Sequence, residues 1–168
     1  MSDRDTKRAP TILEDIKQSK SFRSRSQEAY LAPLRTADDA RQFATLPLES
    51  AGATLQQYNV LRILRGAGEQ GLPTLAVAER MLERTPGVTR LIDRMERKGW
   101  VTRQRCIEDR RRVWCRISAE GLGLLADFDA PINEVDESLS DVLAESEIVE
   151  LIEYLDRLRT RFSRTGGR

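Results

Sequence analysis

Residues 85–100, TPGVTRLIDRMERKGW, constrain the fold more than any other stretch of the chain. Val88, Leu91, Ile92 and Met95 stand at i, i+3, i+4 and i+7, the spacing of one buried helical stripe. Thr89, Arg90, Asp93, Arg94 and Arg97 then fall on the opposite face. Thr85 is a good N-cap, and Pro86 suits the first helical position, where its missing N–H costs nothing. Gly87 adds no side chain, so the helix start can approach another surface closely. Gly99 ends the helix. The period then changes: WVTRQRC and VWCRIS read as two strands with IEDRRR between them, a hairpin with a charged tip.

The segments before this stretch are helical. Ser24 with Gln27 has the spacing of a capping box, and a helix is expected from about 26 to 48. Pro33 and Pro47 interrupt its pattern, so it is kinked or Pro33 lies in its first turn. ESAGATL is a break. Thr54 caps the next helix, in which Leu55, Tyr58, Leu61 and Leu64 share a face, and GAGEQGLP ends it. Thr74 opens a short helix, TLAVAERML. Beyond Ser118 the chain reads as helix throughout. One helix carries Leu122, Leu125, Phe128 and Ile132, with a bend at Pro131. The last carries Ile148, Leu151, Ile152, Leu155, Leu158 and Phe162, more apolar surface than one small lobe can cover.

The chain has a formal net charge of +1, and its distribution is sharply uneven. From Arg80 to Arg116 there are twelve basic residues against five acids; from Ile117 to Asp156 there are twelve acids and no lysine or arginine. A basic middle beside an acidic arm suits one face made for a polyanion and another kept away from it. Histidine is absent, which removes the commonest general base, pH switch and metal ligand. No nucleophile motif, phosphate loop or metal cluster is present, so the expectation is no enzyme, no catalytic residues, no metal and no cofactor. Nothing is long and apolar enough to span a bilayer and the first residues lack the apolar core of a signal peptide, so a cytoplasmic protein without a membrane partner is expected. Cys106 and Cys115 do not make a disulfide framework. Cys115, in step with Val113 and Ile117, reads as a small buried hydrophobe, with Cys106 opposite it across the hairpin.

A short helix, then a glycine-terminated helix with a polar face, is a helix-turn-helix pattern, and the arginine-tipped hairpin makes it a winged one. Thr85, Gly87, Thr89 and Arg90 would lie nearest the base edges of a major groove, where arginine pairs bidentately with guanine, and Pro86 at the helix start counts among the DNA-binding residues. Arg94, Arg97 and Lys98 would sit nearer phosphates, and the hairpin arginines Arg110 and Arg111 would reach a minor groove.

The run from about Leu55 to Gly121 resembles the MarR family of bacterial transcription regulators. The residues that carry the resemblance are LQQYNVLRIL, VAERM, TPGVTRLIDRMERKGWVTR and EDRRRVWCRISAEG. It implies a mainly α fold: a winged helix-turn-helix lobe with a two-stranded wing, flanked by N- and C-terminal dimerisation helices. The expected organisation is a mobile tail over 1–23, with a short helix on a partner in ILEDIKQSKSF as the alternative, and one domain over 24–168, with the winged helix at 54–118 and dimerisation helices at 24–53 and 119–168. The family's Asp-x-Arg at the wing corresponds to Asp109 and Arg111, with Arg111 implied in the minor groove and Asp109 as a brace. The resemblance also implies a homodimer on a pseudo-palindromic double-stranded operator, a repressor's role, and a small aromatic ligand that releases DNA. Phe43, Tyr58 and Arg62 are candidates for lining its site, with core packing the plainer role for the two aromatics. Trp100 departs from the smaller aliphatic residue usual in the family, and the oxidant-sensing cysteine that some members carry near the N-terminus is missing. A winged helix used as a protein-interaction module, without sequence-specific DNA binding, is the alternative function.

Overall fold

A computed structural model describes residues 10–83, 86–105 and 113–165. The chain divides into two compact units, with the boundary between Phe43 and Ala44.

In the first unit, helix α1 (Ile12–Asp15) lies within the stretch expected to be a tail. Its start is a capping box: the Thr11 amide donates to Glu14 Oε2 at 2.7 Å, and the Glu14 amide donates to Thr11 Oγ1 at 3.4 Å. Helix α2 (Arg25–Thr45) is joined to α1 by Arg35 Nε, which donates to Asp15 Oδ2 at 2.6 Å. At its start Ser24 Oγ accepts from the Gln27 amide at 3.2 Å, while the Gln27 side chain reaches one residue further back to the Arg23 amide, 2.8 Å away. Pro33 lies inside α2 and not in its first turn. The helix stops at Thr45, and a 3-10 helix follows over Leu46–Ala51 with Pro47 in its first turn.

The second unit is built on α3 (Leu55–Ala67), capped by Thr54 and Gln57 in a reciprocal box. Tyr58, Leu61 and Leu64 turn inward, as the spacing requires, Leu55 of the same face is half-buried, and Val60, outside that pattern, is buried as well. They meet Leu48, Val77 of α4 (Thr74–Arg80), the stripe of α5 (Val88–Arg97), Val101 and Cys115 of the sheet, and Leu125, Phe128 and Ile132 of α6 (Ala119–Glu137). Arg65 Nη1 donates to both carboxylate oxygens of Asp129, at 3.0 and 2.9 Å, and ties α3 to α6. Helix α7 (Glu145–Thr165) follows. Among the described residues no helix is long and apolar enough to cross a membrane.

The sheet has three strands where the sequence reading expected two. Strand β2 (Val101–Arg105) and strand β3 (Val113–Ile117) form the hairpin, with Val101 opposite Ile117 and Arg105 opposite Val113. The additional strand, β1 (Leu72–Pro73), pairs with the other edge of β3. Gly71 makes this possible: a Cβ there would lie 2.2 Å from the Cys115 carbonyl oxygen, and its φ of +66° is left-handed. The register also corrects the cysteine pairing, because Arg103 stands opposite Cys115 in the place expected for Cys106. Cys106 itself lies outside the described residues.

Candidate nucleic-acid interface

Helix α5 buries Val88, Leu91, Ile92 and Met95, none more than 7% exposed, and turns Thr89, Arg90, Arg94 and Arg97 to solvent. The helix starts later than the sequence implies. Its N-cap is Gly87, at φ +85°, and no side chain caps it. Pro86 therefore precedes the helix rather than occupying its first position, and Thr85 lies outside the described residues. Gly87 has open space around a notional Cβ, so its backbone angle, not crowding, calls for glycine. Pro86 and Gly87 are both exposed.

The charges of α5 are sorted by partner. Its two acids, Asp93 and Glu96, are both held by Arg103 of β2: Nε donates to Glu96 Oε2 at 2.8 Å and Nη1 donates to Asp93 Oδ1. The hydrogen bond to Glu96, helped by the two negative charges, holds the Arg103 guanidinium above its already high pKa against the effect of burial. Arg103 thus offsets one of the two negative charges on the helix and ties it to the wing. Arg90 and Arg94 make no ion pair with a described residue, and Arg97 makes only a long contact with its own helix, Nε to the Asp93 carbonyl at 3.4 Å. The exposed face of α5 is left with a net positive charge. The Asp93–Glu96–Arg103 cluster was not read from the sequence. Its only local sign is two acids three residues apart on an arginine-rich helix, and their partner comes from the following strand.

Lys98, expected near phosphates, is directed elsewhere. Its Nζ donates to the Gly52 carbonyl at 2.8 Å and lies 4.2 Å from the centroid of the Trp100 ring. Trp100 therefore has a partner in the lysine two residues before it. On the wing, Arg105 is exposed at the end of β2, and Arg116 of β3 is tied to the Glu69 carbonyl at 2.8 Å and Gln104 Oε1 at 2.9 Å. Asp109, Arg110 and Arg111 lie outside the described residues.

Of the ligand candidates, Tyr58 is a core residue, 6% exposed, with its ring edge-on to Phe128 at 6.2 Å. Arg62 Nη1 donates to the Tyr58 hydroxyl at 3.2 Å. Phe43 ends the first unit and is 48% exposed. A groove in the first unit, lined by Thr11, Asp15, Arg25, Ala29 and Arg35 among others, includes none of the three.

The family model of MarR matches residues 53–113, from the start of α3 to the start of β3. The HTH-type transcriptional regulator MhqR of Bacillus subtilis is 32% identical over 108 residues, which cover 64% of this chain and 72% of that protein. A crystal structure of a MarR transcription factor from Planctomyces limnophilus is 38% identical, with a TM-score of 0.62 over 81% of this chain and 98% of that one. The S. aureus MepR–DNA complex is 26% identical, with a TM-score of 0.71 over 79% and 96% of the two chains. With a winged helix-turn-helix, a basic exposed face on its second helix and these relatives across most of its length, the chain belongs to the MarR family of transcription regulators.

Proposed function

We propose that the protein is a homodimeric, sequence-specific DNA-binding repressor and not an enzyme, acting in the cytoplasm on a pseudo-palindromic operator. The observation that carries the reading is the charge sorting on α5. Both acids are bound by Arg103 while Arg90 and Arg94 stay exposed and unpaired among the described residues, so the face offered to a polyanion is positive. Thr85, Pro86, Gly87, Thr89 and Arg90 would approach base edges in the major groove, and Arg94 and Arg97 the flanking phosphates. Arg110 and Arg111 at the wing tip would enter the minor groove with Asp109 bracing the loop. The MepR–DNA complex among the structural relatives supports DNA as the partner. We assign 54–118 to the winged helix and 24–53 and 119–168 to dimerisation; the exposed apolar stripe of α7 supports a second copy as its cover.

Mobility shift on genomic fragments and on random duplex, across a salt series, tests the reading. One fragment should bind far more tightly than the rest, and random duplex should bind weakly and be lost steeply as salt rises. A protein that binds no duplex at low salt would instead be the interaction module. A small anionic aromatic is the effector class we assign, from the family resemblance and the Arg62–Tyr58 pair. It must bind the DNA-competent and incompetent states with different affinity to act at all. A thermal-shift screen of aromatic acids and phenols that yields no stabilising compound would remove it.

A further inference from the structure

The C-terminal end of α5 is fastened to a distant loop by Lys98. The far end of this strut is held by backbone hydrogen bonds. Gly52 closes the 3-10 helix Leu46–Ala51 in a left-handed conformation at φ +58°, and its amide donates to the Glu49 carbonyl at 2.9 Å. The Ala53 amide returns to the Leu48 carbonyl at 3.1 Å, and the Leu48 side chain is fully buried. The near end is held in the same way. The Trp100 amide donates to the Met95 carbonyl at 3.0 Å, and the Trp100 carbonyl accepts from the Ser118 amide at 3.1 Å. A Cβ at Gly121 would lie 2.2 Å from that same carbonyl oxygen, so the start of α6 is pressed against Trp100. Between two fixed ends, the ammonium bridges a carbonyl at 2.8 Å and an aromatic face at 4.2 Å.

We propose that Lys98 is a positioning residue for DNA reading, setting the tilt of α5 through Gly52 and Trp100, rather than a ligand of the phosphate backbone. The inference rests on the DNA reading above. A ten-residue helix is roughly 15 Å long, so a tilt of about 4° at one end displaces the other by about 1 Å. A bidentate arginine–guanine pair does not survive such a shift in both its bonds, because hydrogen bonds weaken steeply outside their narrow range of distance and angle. A contact with phosphate made by a flexible side chain adapts to the same shift. The strut should therefore govern discrimination between sequences and leave the unspecific, salt-dependent attraction alone.

The test compares the duplex that the wild-type protein selects from a random pool with a scrambled version, by anisotropy titration over a salt series. The set is wild type, Lys98→Met, Lys98→Arg, Trp100→Leu and Arg97→Ala. Lys98→Met should weaken binding to the selected duplex roughly fivefold to tenfold while leaving the scrambled duplex and the salt slope as in wild type. Lys98→Arg, which keeps a cation over the ring, should recover most of the loss, and Trp100→Leu should shift binding in the same direction as Lys98→Met. If Lys98→Met weakens both duplexes equally with a shallower salt slope, as Arg97→Ala should, Lys98 is a phosphate ligand and the proposal is wrong. A lower melting temperature with unchanged affinity per folded dimer would also overturn it, since the strut would then serve stability alone. A wild type that binds neither duplex removes the DNA reading and this inference with it; a wild type that discriminates, with Lys98→Met unchanged, removes only the inference.

Discussion

Helices α5 and α7 carry apolar residues at the same helical spacing and dispose of them differently. In α5 the stripe of Val88, Leu91, Ile92 and Met95 is 0–7% exposed, covered by α3, α4 and the sheet of the same chain. In α7 the stripe of Leu151, Ile152, Leu155, Leu158 and Phe162 is 38–53% exposed, and Ile148 is its one described position that is half-buried. Periodicity therefore states that a helix has an apolar face but not whose surface covers it. The distinction carries through to function. Because α5 is covered from inside, its opposite face can be given over to arginine. Because α7 is not, its apolar face would receive the second copy in the proposed dimer, and the acids of α6 and α7 would keep that surface away from DNA.

The harshest way to break the comparison is to place a charge in the α7 stripe. Leu155→Asp should convert the dimer to monomer in light scattering and lower operator affinity by about 10²–10⁴-fold, because the second half-site is no longer bound intramolecularly. A variant that stays dimeric would show that α7 is not the interface. The next largest effect separates the helices by concentration. Ile92→Ala should lower the unfolding free energy by about 2–5 kcal/mol at any protein concentration, since the cavity lies within one chain. Leu155→Ala should destabilise less as the concentration rises, because assembly shifts stability by mass action. If both losses were equally insensitive to concentration, α7 would be covered by its own chain after all.

The exposed face of α5 gives the third contrast, within one helix. Arg90→Ala should cost about 1–3 kcal/mol on the preferred site and relax the preference there. Arg97→Ala should weaken good and scrambled duplexes alike and make the salt slope shallower by about one unit per lost contact. Titrations of both variants on both duplexes decide it. Identical behaviour of the two on every duplex would rule out end-on docking of the helix, even for a protein that binds DNA.

Local pattern made much of this legible. The α5 stripe, the α3 face, the Thr54 cap and both hairpin strands follow from spacing, cap chemistry and a change of period, and the exposure of Arg90, Arg94 and Arg97 follows from the stripe. What escaped depends on residues far apart in the chain. Strand β1 is two residues long and includes a proline; it pairs only because Gly71 lets the backbone pass against Cys115. Arg103 meets Asp93 and Glu96 through the fold of the hairpin back onto α5, and Lys98 meets Gly52 across 46 positions. The start of α5 escaped for a local reason. Thr85 and Pro86 have the chemistry of a cap and a first turn, but the left-handed Gly87 resets the helix two residues later.

Cys115 supplies the smallest predicted effect, and one that belongs wholly to the self-covered side of the comparison. Its side chain is fully buried, and burial pushes the thiol pKa up, against a smaller opposing effect of the hydrogen bond with Thr74 at 3.4 Å and the charge of Arg103. A thiol whose pKa is higher in the folded chain than in the unfolded one favours folding while protonated. That contribution is complete below the unfolded value of about 8.5 and is lost as pH rises through the folded one. Cys115→Ala removes the titration at the cost of a small cavity, on the order of 1 kcal/mol. The stability advantage of wild type over Cys115→Ala, from denaturant melts, should therefore be constant up to about pH 8.5 and then shrink by at most roughly 1.4 kcal/mol per pH unit. Taking the difference cancels the titration of groups common to both proteins. The shrinkage should be the same at low and high protein concentration, since Cys115 lies in the core of one chain. A difference that stays flat through alkaline pH would mean that the thiol ionises as readily in the folded lobe as in the unfolded chain. The contact between β1, β3 and α4 around it would then be wet, and the lobe that carries α5 would be less self-sufficient than its burial implies.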